Sequence, residues 1–170
     1  MLRMAVESSV LRATMRQWAT GVTVVTTALG DARGGMTVSS FTSVSLEPPT
    51  VLVCLNKNSY CHDLVKQSGV YAVSMLAEGQ DALSNRFAGL DAAFNEDRFA
   101  GLEISSAETG CPLLPGAIAH LDCRVVSLHE TMTHTIFIAE VVFAGVNPEK
   151  KPLVYHDRAY RILVDPKELG

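Results

Sequence analysis

Ala117 to His129 (AIAHLDCRVVSLH) and His134 to Val146 (HTIFIAEVVFAGV) decide the fold. Only a few residues separate these two long runs, a spacing that predicts a β-hairpin. Ile136, Phe137, Ile138 and Ala139 are apolar in succession, so both faces of the second strand must be covered. A further strand reads from Pro152 to Val164, and the same signature recurs toward the N-terminus. Val22 to Leu29 (VTVVTTAL) is β-branched almost throughout. A turn over Gly30 to Gly35 joins it to Met36 to Leu46 (MTVSSFTSVSL), which Glu47-Pro48-Pro49 closes. Thr50 to Asn56 and Val70 to Leu76 complete the strands.

Helical periodicity is confined to three short pieces. Leu11, Met15, Trp18 and Ala19 recur at helical spacing, predicting an opening helix from Ser8 or Ser9 to Gly21. Ser59 caps a second, which runs to about Gln67 before Gly69. Gly79 to Ala88 forms a third, with Leu83 and Phe87 on one face, and residues 89–116 are irregular. Many strands, few short helices and no alternating βα rhythm give a mainly β fold, a closed or nearly closed antiparallel barrel. A doubly wound α/β sheet is disfavoured. No repeat or linker divides residues 1–170, so one domain is expected.

The composition is ordinary for a globular chain, 48% hydrophobic and 19% charged. A net charge of −4 with no run of lysines or arginines speaks against nucleic acid and anionic membranes as partners. Met1 to Val10 holds no apolar core for a leader, and no apolar run is long enough to span a bilayer. Cys54, Cys61, Cys111 and Cys123 lack metal or redox spacing and read as reduced, mostly buried side chains. A cytoplasmic location is the expectation.

The common catalytic signatures are missing. Neither GxGxxG nor GxxxxGK[ST] occurs, and there is no GxSxG elbow. His129 and His134 are five residues apart in a predicted strand hairpin, so they form no zinc pair, and no metal site is expected. The positive signal is Gly34 to Pro49 (GGMTVSSFTSVSLEPP). Its glycines permit close backbone approach, and its hydroxyls and N–H groups can hold a phosphate. The same alternation of hydroxyl and apolar residues also describes a plain half-solvated strand.

This segment resembles the flavin-binding stretch of the short-chain flavin reductases, the split-barrel reductase partners of two-component flavin monooxygenases. The likeness runs from about Leu11 to Leu163, through Met15 to Thr27 (MRQWATGVTVVTT), Pro48 to Ser59, Asn85 to Gly89 (NRFAG) and Asp97 to Leu102 (DRFAGL). It implies a split β-barrel of FMN-binding, Greek-key type, a homodimer, and FMN or FAD in a groove at the dimer interface. By position, Met36, Thr37, Val38, Ser39 and Ser40 would line the isoalloxazine ring and ribityl chain. Leu55, Asn56 and Ser59 would flank ring or phosphate, and Arg86 with Phe87 would close the phosphate end, where an arginine fork suits a phosphate.

The family's Gly-Asp-His or Gly-Thr-His nicotinamide motif corresponds to Met132-Thr133-His134, so the histidine matches and methionine replaces glycine. His134 is then the residue that positions NADH or NADPH, and Met132 narrows the pocket or alters which dinucleotide enters. The closing Pro152 to Arg161 resembles the final strand pair. Both reacting groups of a flavin reductase belong to cofactors, which fits a chain without a catalytic triad. The reduced flavin is expected to pass to a separate flavin-dependent monooxygenase. Two other readings stay open: a split-barrel flavoprotein of the pyridoxine-phosphate-oxidase type, and a non-enzymatic flavin-binding protein in which Met132 bars nicotinamide.

Overall fold

A computed structural model describes residues 5–168. The first four residues of the stretch read for a leader, and the last two of the chain, lie outside the described residues. The elements run α1 (Ser8–Met15), β1 (Thr20–Gly21), β2 (Thr23–Leu29), β3 (Ala32–Val38), β4 (Phe41–Leu46), β5 (Pro49–Asn56), α2 (Tyr60–Ser68), β6 (Val70–Met75), α3 (Asp81–Phe87), β7 (Ala119–Glu130), β8 (His134–Val146), β9 (Val154–His156) and β10 (Ala159–Arg161).

Seven strands form one antiparallel sheet in the order β3-β2-β6-β7-β8-β5-β4, and β1, β9 and β10 form a second. The large sheet is open: its edges are β3 and β4, consecutive in the chain and joined only by Ser39 and Ser40. This is the split of the barrel. The expected single strand from Met36 to Leu46 is therefore two. At the break, Ser40 Oγ donates to the Cys54 carbonyl at 2.8 Å and accepts from the Cys54 amide at 3.3 Å, replacing ladder bonds with side-chain ones.

The β7–β8 hairpin stands where its sequence places it, with β8 spanning His134 to Val146. On β8, Thr135, Phe137 and Ala139 are buried inward while Ile136 and Ile138 are half-covered on the other face. Phe137 and Ala139 join Val25, Val53, Leu55, Tyr71 and Val73 in the barrel core, which Cys61 and Val65 of α2 plug. A second cluster gathers Val22, Val24, Leu76, Phe87, Phe99, Leu114 and Leu153 beneath α3.

Three further boundaries differ from the sequence expectation. α1 ends at Met15 and buries none of its residues, and the Thr20–Val22 stretch that follows is drawn into pairing with β9 and Leu153. The turn after Leu29 is only Gly30-Asp31, so Arg33, Gly34 and Gly35 already lie in β3. There the glycines serve packing. A Cβ on Gly34 would meet the Cys61 Cα at 3.3 Å, and one on Gly35 would meet the Phe87 ring at 2.6 Å. Finally, the strand expected over 152–164 is a hairpin, turned by Asp157 and Arg158 at φ 46° and 62°.

Cys61, Cys111 and Cys123 are buried, Cys54 is half-buried, and all four are free thiols. Burial pushes Cys61 up to about 12, and burial with the nearby Asp122 charge does the same for Cys123. Burial likewise pushes the Tyr71 phenol up. An unfolded chain sheds its thiol protons above 9.0, whereas the folded protein holds these two until about 12. The stabilisation is thus complete below 9.0 and is lost as pH climbs toward 12. Urea midpoints should fall across that window, with each such thiol contributing a slope of about 1.4 kcal/mol per pH unit. A flat profile between about pH 9 and 11 would contradict this.

Candidate functional site

Where β5 gives way to α2, the chain makes a tight polar corner. The Asn56 side-chain carbonyl accepts from the Asn58 amide at 2.8 Å, and the Ser59 hydroxyl donates to the Asn56 backbone carbonyl at 2.8 Å. Ser59 also caps α2, accepting from the His62 amide at 3.2 Å. The first amides of the helix, those of Tyr60 and Cys61, have no acceptor within the helix. Both residues line a cavity of about 710 Å³, bounded by β3, this corner, the end of α3 and residues 95–99.

Two arginines border the cavity, and they are differently committed. Arg98 is spent on the framework: its Nη1 donates to the Gly35 carbonyl at 3.1 Å and the Phe87 carbonyl at 2.8 Å. Arg33 is exposed, lies 5.0 Å over the Phe99 ring, and gives its N–H groups to no acceptor among the described residues. An exposed guanidinium and the start of a helix bordering one cavity supply the elements of an anion cradle.

Smaller cavities extend the first. One of about 290 Å³ shares Thr37 and Ala88 with it, and another of about 480 Å³ shares Ser39, Tyr155 and Arg158 with the second. Met36, Thr37, Val38, Ser39 and Ser40 pass along this series in chain order. Thr37 Oγ1 donates to the Ser84 carbonyl at 2.7 Å, which ties the segment to α3. Each volume is within or near the usual range for small-molecule sites. The set suits an elongated ligand with one anionic end, and a flavin nucleotide has that shape and charge.

The residues expected at the site separate into groups. Met36, Thr37, Ser39, Ser40, Asn56 and Ser59 line cavities. Val38 is mainly core, and Leu55 is fully buried in the barrel and lines none of them. Phe87 forms cavity floor although it exposes nothing to solvent. Arg86 is elsewhere. It is 8% exposed, donates to the Arg98 and Ala100 carbonyls at 2.6 and 2.5 Å, and stacks 3.6 Å over Phe94. Its position on α3 turns it toward the 95–101 loop, so the phosphate-end role expected of it has no geometry here. Arg33, in the 30–35 stretch expected as a turn, is the exposed arginine that borders the cavity instead.

His134 opens β8 directly across from Asn56, and its Nδ1 lies 2.8 Å from Thr133 Oγ1. It lines none of the three cavities but adjoins the corner that does. Met132, at the hairpin tip, is 96% exposed, so its side chain points into solvent and narrows no pocket in this chain. No group of histidines, cysteines and acids suited to a metal occurs among the described residues.

Known proteins match this arrangement. The model of the flavin reductase like domain covers residues 15–163. An FMN reductase (NADH), RutF 2 of Methylorubrum extorquens, is 38% identical over 95% of this chain and 93% of its own. The reductase component of an FADH(2)-dependent resorcinol hydroxylase from a Rhizobium species is 42% identical over 88% and 83%. The NADH:FAD oxidoreductase SgcE6 of Streptomyces globisporus, solved with NAD and FAD fragments, superposes with a TM-score of 0.86 at 36% identity, covering 96% of this chain and 99% of that one. From residue 15 to residue 163, then, this chain belongs to the flavin reductase like domain family.

Proposed function

We propose that this chain is an NADH-dependent reductase of FMN or FAD and that its reduced flavin serves a separate flavin-dependent monooxygenase. The observation that carries the reading is the cradle of Arg33 and the α2 amides at one end of the segment Met36–Ser40. It is supported by relatives whose names specify NADH, FMN or FAD, and monooxygenase reductase components. When bound, the two cofactors would supply the redox chemistry, the nicotinamide as hydride donor and the flavin as acceptor. The protein's share is placement. Arg33 and the amides of Tyr60 and Cys61 would hold the phosphate at the corner that Ser59 shapes, while Met36 to Ser40 would bind the ring and ribityl chain. His134, beside Asn56, orients the nicotinamide amide. No acid, base or nucleophile is required of the chain.

The active form proposed is a homodimer in the cytoplasm, with the chain acting as one reductase domain. Val44, Leu46, Val126, Leu128, Phe143 and Val146, on β4, β7 and β8, are apolar and exposed in the single chain. Such a set is characteristic of a surface that a second subunit covers. Four free thiols suit a reducing compartment. No described helix is long and apolar enough to cross a membrane. A fully active monomer by light scattering would exclude the dimer.

The direct test is to mix protein, FMN and NADH without air and follow loss of flavin absorbance. In the same assay His134→Ala should raise the Michaelis constant for NADH about five- to thirtyfold and leave flavin affinity nearly unchanged. Met132→Gly should keep or improve turnover, since the side chain it removes is in solvent. An unchanged constant for NADH in His134→Ala would remove the nicotinamide assignment.

A further inference from the structure

One buried titratable side chain has no part in the placement just described. His62, in the first turn of α2, is 4% exposed, and its two ring nitrogens both have partners. Nδ1 lies 2.8 Å from Asp63 Oδ1, and Nε2 lies 2.9 Å from Thr135 Oγ1. Thr135 is fully buried, and the imidazole edge meets the Phe137 ring with centroids 5.5 Å apart. A carboxylate only accepts, so the Nδ1–H donates to Asp63, and in the neutral imidazole Nε2 then accepts from the Thr135 hydroxyl. The result is a directed chain, Thr135 to His62 to Asp63, from the interior of β8 to the surface of α2.

α2 is fixed by Cys61, Leu64 and Val65, all buried, with Gly34 allowing it to sit close on β3. The start of β8 belongs to a hairpin tip where Thr131, Met132 and Thr133 are exposed. The backbone there is laddered to β5, with His134 opposite Asn56 and Thr135 opposite Leu55, and to β7. Toward α2 it is further tied by the Lys57 amide donating to the Thr133 carbonyl at 3.0 Å and by Glu130 bridged by Lys57 and Lys66 at 3.3 and 2.5 Å. The last two are solvent-exposed and contribute little. The His62–Thr135 bond is shielded from water, directional, and one residue from His134.

We propose that His62 is a positioning residue for NADH: through Thr135 it fixes the start of β8 against α2, and so sets where His134 stands beside Asn56. The proposal rests on the flavin reductase reading above. The ladders hold the backbone of β8 while the His62 bond holds its side-chain face against α2, so losing that bond shifts His134 and leaves the phosphate cradle in place; NADH use changes and flavin binding does not.

Thr135→Val removes the hydroxyl with little change of shape. Its Michaelis constant for NADH should rise about three- to tenfold while FMN affinity stays within about twofold, and Thr135→Ser should restore the wild-type value. Because Val alone strands the His62 nitrogen, His62→Leu/Thr135→Val is made as well. Replacing both partners by apolar groups preserves folding, and the NADH constant should stay raised. A wild-type NADH constant in the double variant, with His134→Ala raised, overturns the proposal alone. An unaltered constant in His134→Ala overturns the underlying reading and the proposal with it. Equal weakening of NADH and FMN in the Thr135 variants also overturns it, since that marks a general loss of structure.

Discussion

Gly35→Ala should destabilise the protein by about 1–3 kcal/mol, the usual consequence of forcing a methyl group into a filled interior. The added Cβ would lie 2.6 and 2.8 Å from two ring carbons of Phe87 and 3.2 Å from Phe99. Neither ring can retreat easily. Phe87 is fully buried, and the two rings meet edge to face with centroids 5.1 Å apart. For a chain of this length the melting temperature should fall by roughly 2–12 °C. Phe87→Leu also destabilises on its own, but the double variant should lose less than the two single losses combined, because the smaller side chain makes room for the methyl. Wild-type stability in Gly35→Ala would mean that the glycine is retained for some ligand and not for this packing.

Arg33→Ala and Arg86→Ala should separate binding from structure. Removing the exposed Arg33 deletes one charge-assisted contact to phosphate, worth about 1.5–3 kcal/mol, or roughly ten- to a hundredfold in FMN affinity. Riboflavin, which lacks the phosphate, should be nearly indifferent to that change. Arg86→Ala should do the reverse. It strips two hydrogen bonds from the carbonyls of Arg98 and Ala100 and uncovers Phe94, so the 95–101 loop loosens and stability falls. FMN and riboflavin should then weaken alike. Fluorescence titration of both ligands against both variants decides the matter, and selective loss of FMN in Arg86→Ala would return the phosphate to the position the sequence likeness gave it.

Much of the fold was legible because periodicity and turn chemistry are local. β8 begins and ends where its β-branched run does, and Ser59 caps α2 as its side chain predicts. The errors have tertiary causes. Nothing local marks the interruption at Ser39 and Ser40, since the hydroxyl bond that replaces the ladder comes from Cys54, distant in sequence. Asp157 and Arg158 adopt left-handed backbone that glycine or asparagine would have advertised. At the site, the segment Met36–Ser40 was visible as a pattern, whereas the division of labour among arginines was not. Arg33, Arg86 and Arg98 are alike in sequence, and only the acceptors around each show which two hold the framework.

The thiols have one more consequence. Reduced flavin that meets oxygen before it meets an oxygenase yields hydrogen peroxide, so an enzyme of this kind works beside an oxidant of its own making. Peroxide attacks thiolates, and exposure sets the rate. Cys61, Cys111 and Cys123 are buried and held protonated well above neutral pH, and burial also raises Cys54. Oxidative damage should therefore begin at sulfur that is exposed and needs no deprotonation, and the thioether of Met132 at the hairpin tip fits that description.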